Sequence, residues 1–251
     1  MQTKEVIAGY WNLRSKSYGR GVVASKDEER EIWKKCLAPF LAERDDFKAL
    51  DVGTGTGFLF LILDEMGLNV TGVDLSAGML SFAKEACLNR KRDLGLCIGD
   101  AESLPFQSSS FDLVTSRHLL WTLPDPTRAI AEWMRVLRPG GRIIAIDGNW
   151  FDPTPKKRIS RWVSDRLTSF TDDRNPVPFS RFYQPIEMRL PLYRTSRPDN
   201  CQDLFIAAGL KMVAVDRLQD VNRFYRRNAS LSFRLANSDT VFLVTGEKER
   251  L

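Results

Sequence analysis

The chain has 251 residues, 43% hydrophobic and 27% charged, the ordinary make-up of one globular domain or one domain with a sizeable insert. Its formal charge of +5 is lopsided: residues 1–150 hold 19 basic and 20 acidic groups, whereas residues 151–251 hold 18 and 12. No run approaches the roughly 18–20 apolar residues that span a bilayer, and one histidine with four dispersed cysteines argues against a zinc site or a Ser-His-Asp hydrolase.

The N-terminal stretch lacks the apolar core of a secretory leader, so a cytoplasmic protein with reduced thiols is expected. Short apolar runs then alternate with amphipathic stretches. Phe47–Val52 reads as a buried strand, Phe58–Met66 as a buried helix and Leu68–Asp74 as a strand. Ser76 is a natural N-cap for a helix over Ser76–Asn89, with Met79, Leu80, Phe82 and Ala83 on one face. Leu94–Gly99 and Phe111–Ser116 follow as strands, Thr127–Leu137 as a helix stopped by Pro139-Gly140-Gly141, and Arg142–Asp147 as a fifth strand. After a gap come a helix at Asn200–Ala208 and strands at Leu210–Arg217 and Thr240–Thr245. This alternation predicts an α/β fold, a mostly parallel sheet with helices on both faces.

The gap, about residues 149–198, is rich in proline and aromatic residues. Lys156 to Arg197 holds ten basic and four acidic groups, so the excess charge of the second half resides there. An insert this long is usually functional.

The most informative stretch is Asp51-Val52-Gly53-Thr54-Gly55-Thr56-Gly57-Phe58, a strand leading through glycines into a helix. Glycines at the carboxyl end of a strand let backbone approach a ligand. In a dinucleotide fingerprint the third small residue would fall on Phe58, which is too large. Asp51 would also repel a pyrophosphate and suit a cationic ligand. Asp74, at the end of the second strand, can accept from ribose hydroxyls. Asp100, past the third strand, can accept from an adenine amino group while the Ala101 amide donates to the ring.

The runs ALDVGTGTG, VTGVDLSAGML, IGDAESLPFQSSSFDLV and MRVLRPGGRIIAID resemble a class I S-adenosylmethionine-dependent methyltransferase of the type 11 family, which includes ubiquinone and menaquinone C-methyltransferases. The resemblance covers about residues 45–150. It implies a Rossmann-like seven-stranded sheet of order 3-2-1-4-5-7-6 with the last strand antiparallel. It divides the chain into N-terminal lid helices (1–45), the S-adenosylmethionine-binding core (46–148), a substrate cap (149–199) and the end of the sheet (200–251). By the same resemblance Asp51, Gly53, Thr54 and Gly55 cradle the methionine part, Asp74 binds the ribose, and Leu75 and Met79 pack near the adenine. Asp100 and Ala101 read its edge, Tyr18 reaches the methionine end from the lid, and Arg117 and His118 face the methyl group or its acceptor.

Many relatives carry histidines a few residues further along that loop, where this chain has Trp121 and Thr122. His118 is the candidate general base and Asp147 the alternative. Methyl transfer needs a base only if the acceptor must lose a proton. The expected activity is transfer to a small organic acceptor, anionic if the basic insert selects it, by a monomer or homodimer. The alternatives are an RNA or protein methyltransferase, with nucleic acid as second-choice partner, and a non-catalytic S-adenosylmethionine-binding protein. No metal is expected.

Overall fold

A computed structural model of the protein describes residues 2–23, 26–41, 46–88, 95–151, 182–229 and 240–250, with scattered positions between 154 and 162 and Arg234. Two helices, α1 (Thr3–Val23) and α2 (Asp27–Leu37), precede the sheet. There follow β1 (Lys48–Val52), α3 (Phe58–Glu65), β2 (Asn69–Asp74), α4 (Ala77–Cys87), β3 (Gly95–Ile98), β4 (Phe111–Arg117), α5 (Pro126–Val136) and β5 (Leu137–Gly148). The last elements are α6 (Pro198–Ala207), β6 (Lys211–Asp216), α7 (Gln219–Asn228) and β7 (Val241–Glu247).

The strands form one seven-stranded sheet of order β3-β2-β1-β4-β5-β7-β6, as the family resemblance implies. The pairs from β3 to β5 are parallel, and β7 runs antiparallel to both β5 and β6. Alternate residues of each strand feed opposite cores. Ile143 and Ala145 of β5 with Phe242 and Val244 of β7 face one side, against Ile130, Trp133 and Val136 of α5 and Phe205 of α6. Ile144 and Ile146 with Val241 and Leu243 face the other, against Trp33 and Leu37 of α2, Ile62 and Leu63 of α3, and Val221 of α7. Parallel strands covered on both faces read as continuous apolar runs, which is why they were legible.

The structure departs from the sequence reading at two places. Pro139-Gly140-Gly141 ends helix α5 but lies inside a strand, because β5 begins at Leu137. The register of β5 on β4 shifts between Phe111 and Leu113. Helix α7 fills a stretch to which the sequence reading assigns no element. It has a narrow buried stripe of Val221, Asn222 and Phe224, and the polar Asn222 weakens its apolar signal.

A third cluster lies above the sheet edge. Val6, Ile7 and Tyr10 of α1 pack with Trp121, Tyr183, Ile186, Leu190 and Tyr193. The described end of the insert thus packs on the N-terminal helix. Its middle, including Lys156, Arg158, Arg161, Phe170, Pro176 and Phe179, lies outside the described residues.

Candidate active site

The turn after β1 is built by its glycines. Gly53, Gly55 and Gly57 have φ of 68°, 57° and 88°, in the left-handed region. A Cβ on Gly53 would also stand 2.9 Å from both Leu119 methyl carbons, so a side chain there would displace the Leu119 side chain. Amides of Gly53 and Thr54 donate to Val73 O at 2.8 and 3.0 Å, tying the turn to β2.

Asp51 is buried beneath this turn. Its carboxylate accepts from Thr54 Oγ1 at 2.7 Å and from Thr115 Oγ1 at 3.0 Å. Burial pushes its pKa up to about 6, and the two hydroxyls and the Arg117 charge offset that only in part. Asp74, closing β2, accepts from the amides of Gly55 and Ser76, each at 2.8 Å. Burial raises it as well, against those amides. Asp100, past β3, accepts from the Glu102 amide at 2.9 Å and pairs with Lys4 Nζ of α1 at 2.5 Å. Lys4 also reaches Glu102 at 2.5 Å.

These acids line one cavity of about 970 Å³, open mouth included. Of the expected residues, Tyr18, Asp51, Gly53, Thr54, Gly55, Asp74, Leu75, Met79, Asp100, Arg117 and His118 all line it. Ala101 does not, and its carbonyl accepts from Trp133 Nε1 at 3.1 Å. Asp147 does not face the cavity either. It is fully buried and accepts from the amides of Gly148 and Trp121 at 2.7 and 3.2 Å. Its place is beneath the loop after β4, which it holds, and burial pushes its pKa up to about 7.

His118 has φ of 58° and donates its amide to Ile146 O at 2.7 Å, so the backbone twists at the strand end and turns the side chain away from the sheet. Its ring meets Trp150 edge-on at 4.8 Å, and Nδ1 has no hydrogen-bond partner. Burial, helped by the Arg117 charge, lowers its pKa well below the usual imidazole range, so the ring is neutral at pH 7. The Arg117 guanidinium stacks 4.1 Å from the Phe58 ring centroid.

Sequence reasoning missed several participants. Thr115 meets Asp51 only because β1 and β4 pair in that register. Lys4, Ile7, Leu119, Thr122 and Leu123 line the cavity through the placement of α1 and the loop after β4. Asn12 of α1 accepts from Ser76 Oγ at 2.7 Å and the Gly78 amide at 2.9 Å, fastening α1 to the start of α4. The Ser76 cap itself was legible, and accepts from the Met79 amide at 3.1 Å.

Residues 50–145 match the family model described as the methyltransferase domain. This core is similar to a methyltransferase domain. The demethylmenaquinone methyltransferase of Staphylococcus aureus (strain MRSA252) is 35% identical over 147 residues, covering 57% of this chain and 61% of that protein. The chain thus spans about three fifths of the length of that curated relative. The chain also shares its fold with a chain of the complex between the Haloferax volcanii Trm112 methyltransferase activator and a methyltransferase. There the TM-score is 0.65 at 20% identity, over 96% of this chain and 98% of that one. Haemonchus contortus phosphoethanolamine N-methyltransferase 2, solved with S-adenosylhomocysteine, gives a TM-score of 0.58 at 19% identity, over 87% of this chain and 53% of that one. No helix among the described residues is long and apolar enough to cross a membrane.

Proposed function

We propose that the protein transfers a methyl group from S-adenosylmethionine to a small organic acceptor. One observation carries the reading: a glycine turn and three strand-end acids, Asp51, Asp74 and Asp100, line a single cavity. The donor set fits this cofactor, since a buried carboxylate at Asp51 suits an ammonium group and Asp74 suits a ribose diol. Bound there, the cofactor supplies an electrophilic methyl group on a sulfonium.

The chain's own part is holding, aligning and drying. Asp51, Thr54 and the backbone of Gly53 and Gly55 hold the amino-acid end, Asp74 the ribose, and Asp100 with Leu75 and Met79 the adenine side. Helix α1 acts as the lid, latched by Asn12, with Trp11 and Tyr18 over the opening. Water exclusion and alignment lower the barrier of a displacement at carbon. His118, neutral and lining the cavity, is the residue placed to take the proton of an acceptor that must lose one. Arg117 lies beside this point and suits a carboxylate. The apolar lining by Ile7, Trp11, Leu119 and Leu123 supports a small, largely apolar acceptor, as does the quinone substrate named for the Staphylococcus relative.

The test is calorimetric titration with S-adenosylmethionine and S-adenosylhomocysteine, followed by transfer of labelled methyl into a metabolite extract. Saturable binding and label in a small-molecule fraction are expected. The reading fails if neither compound binds, and the acceptor class fails if label enters only RNA or protein.

A further inference from the structure

His118 is held from two sides, and neither belongs to the glycine turn. On one side its amide donates to Ile146 O at 2.7 Å with φ at 58°, which fixes where the side chain leaves the backbone. On the other its ring meets Trp150 edge-on, with centroids 4.8 Å apart and planes at 84°. Nδ1 is buried without a hydrogen-bond partner while the residue lines the cavity, so Nε2 is the nitrogen that a cavity ligand can reach.

Trp150 is itself held. Its amide donates to Gly148 O at 2.9 Å, and its indole lies over Gly148. A Cβ on Gly148 would stand 2.5 Å from Trp150 Cε2 and Cζ2, so a side chain there would push the indole aside. The Trp150 side chain also hydrogen-bonds to the Asp147 carboxylate. The half-buried ring packs against two apolar clusters, the one that holds Ile146 and Val241 and the one that joins α1 to the end of the insert. The same Asp147 carboxylate takes the amides of Gly148 and Trp121 and that of Leu120, in the loop that follows His118. One buried acid on β5 thus anchors both the loop after the imidazole and the ring beside it.

We propose that Trp150, anchored by Asp147 and seated on Gly148, is a positioning residue that sets the His118 ring with Nε2 toward the cavity. The proposal rests on the reading of His118 as proton acceptor.

The chain has one histidine, so NMR of histidine-labelled protein reports this ring alone. Among the described residues, Arg117 of β4 is the charged group that acts on the ring directly, Asp51 of β1 lines the same cavity, and Asp147 of β5 reaches the ring through Trp150. The native protein should show a nuclear Overhauser effect between the imidazole and the indole. In Trp150→Leu the ring-current shift of the imidazole protons should vanish. The titration midpoint should climb toward about 6.5 as water reaches the ring, with S-adenosylhomocysteine affinity unchanged. The proposal is overturned if the Overhauser effect is absent, or if Trp150→Leu keeps the native histidine signal and midpoint. The first measurement needs no variant and decides even where Trp150→Leu does not fold. Neither measurement uses cofactor or acceptor. Failure of S-adenosylhomocysteine to bind, or methyl transfer as fast in Trp150→Leu as in the native protein, would count against the cofactor or base reading and leave the histidine spectra to decide this one.

Discussion

The strand ends at β1 and β2 and the strand end at β5 both carry acids, and they differ in what those acids face. Asp51 and Asp74 line the cavity. Amides and hydroxyls of neighbouring turns hold them: Thr54 and Thr115 on Asp51, Gly55 and Ser76 on Asp74. Asp147, at the end of β5, lies outside the cavity and takes the amides of Gly148 and Trp121. A hydrogen-bonded acid with little freedom selects by position. The first two therefore suit one ligand held in one pose, whereas Asp147 serves the protein's own loop and Trp150.

The largest expected effect tests whether these regions are separate. Asp74→Ala should weaken S-adenosylhomocysteine by at least about a hundredfold, since two charge-assisted hydrogen bonds are worth roughly 1.5–3 kcal/mol each. The His118 signal should be unchanged, and a parallel shift would merge the two regions into one. Titration calorimetry reads the first and histidine NMR the second, and Asp74→Asn, with the same shape, controls for the support that Asp74 gives to Gly55 and Ser76.

Next comes pH. The folded pKa of Asp51 is raised to about 6, so below that value the carboxyl is protonated in the empty protein. Binding an ammonium group then requires ionisation. Affinity for S-adenosylmethionine should fall about tenfold per pH unit below 6 and level off above about 7. Asp51→Asn should bind weakly and flatten that slope. The sign for stability is the reverse. A carboxyl whose folded pKa is raised is favoured when protonated, so Asp51 contributes less to stability as the pH rises through about 6.

Smaller effects concern the lid. Asn12→Ala removes the acceptor for Ser76 Oγ and the Gly78 amide and should cost about 1–2 kcal/mol, by analogy with a lost helix cap. The thermal midpoint should drop by a few degrees, with several-fold weaker S-adenosylhomocysteine binding if α1 covers the cofactor. Lys4→Met should do least. The Lys4 and Asp100 side chains are each about a third exposed, so their ion pair is worth less than about 1 kcal/mol, and the buried Glu102, the other partner of Lys4, keeps the Asp125 amide as a donor at 2.7 Å. Chemical denaturation of this variant should shift by no more than that. A larger loss would mean that charge, and not the apolar packing of Val6, Ile7 and Tyr10, holds α1 down.

Much of the cofactor half was legible. The glycine turn, the Ser76 cap and the acids at the ends of β1 and β2 are short-range features, and each was read within a residue or two of its place. Asp147 was misread because strand order alone cannot say which way a strand-end side chain points. Here the carboxylate is drawn under the loop by the amides of Gly148 and Trp121. Helix α7 was missed because its inward face includes Asn222, whose burial is compensated only by backbone groups of Arg217 and Val241.

From sequence alone follow the alternation of strands and helices, the glycine turn, the acids beside it and the lopsided charge, because each depends on residues close along the chain. Only the tertiary structure decided that Thr115 steadies Asp51, that Lys4 and Asn12 bring α1 onto the cavity, and that Trp150 meets His118. Those contacts join residues far apart along the chain. They exist only once sheet order and register have set which chain ends meet, and no local pattern records that choice.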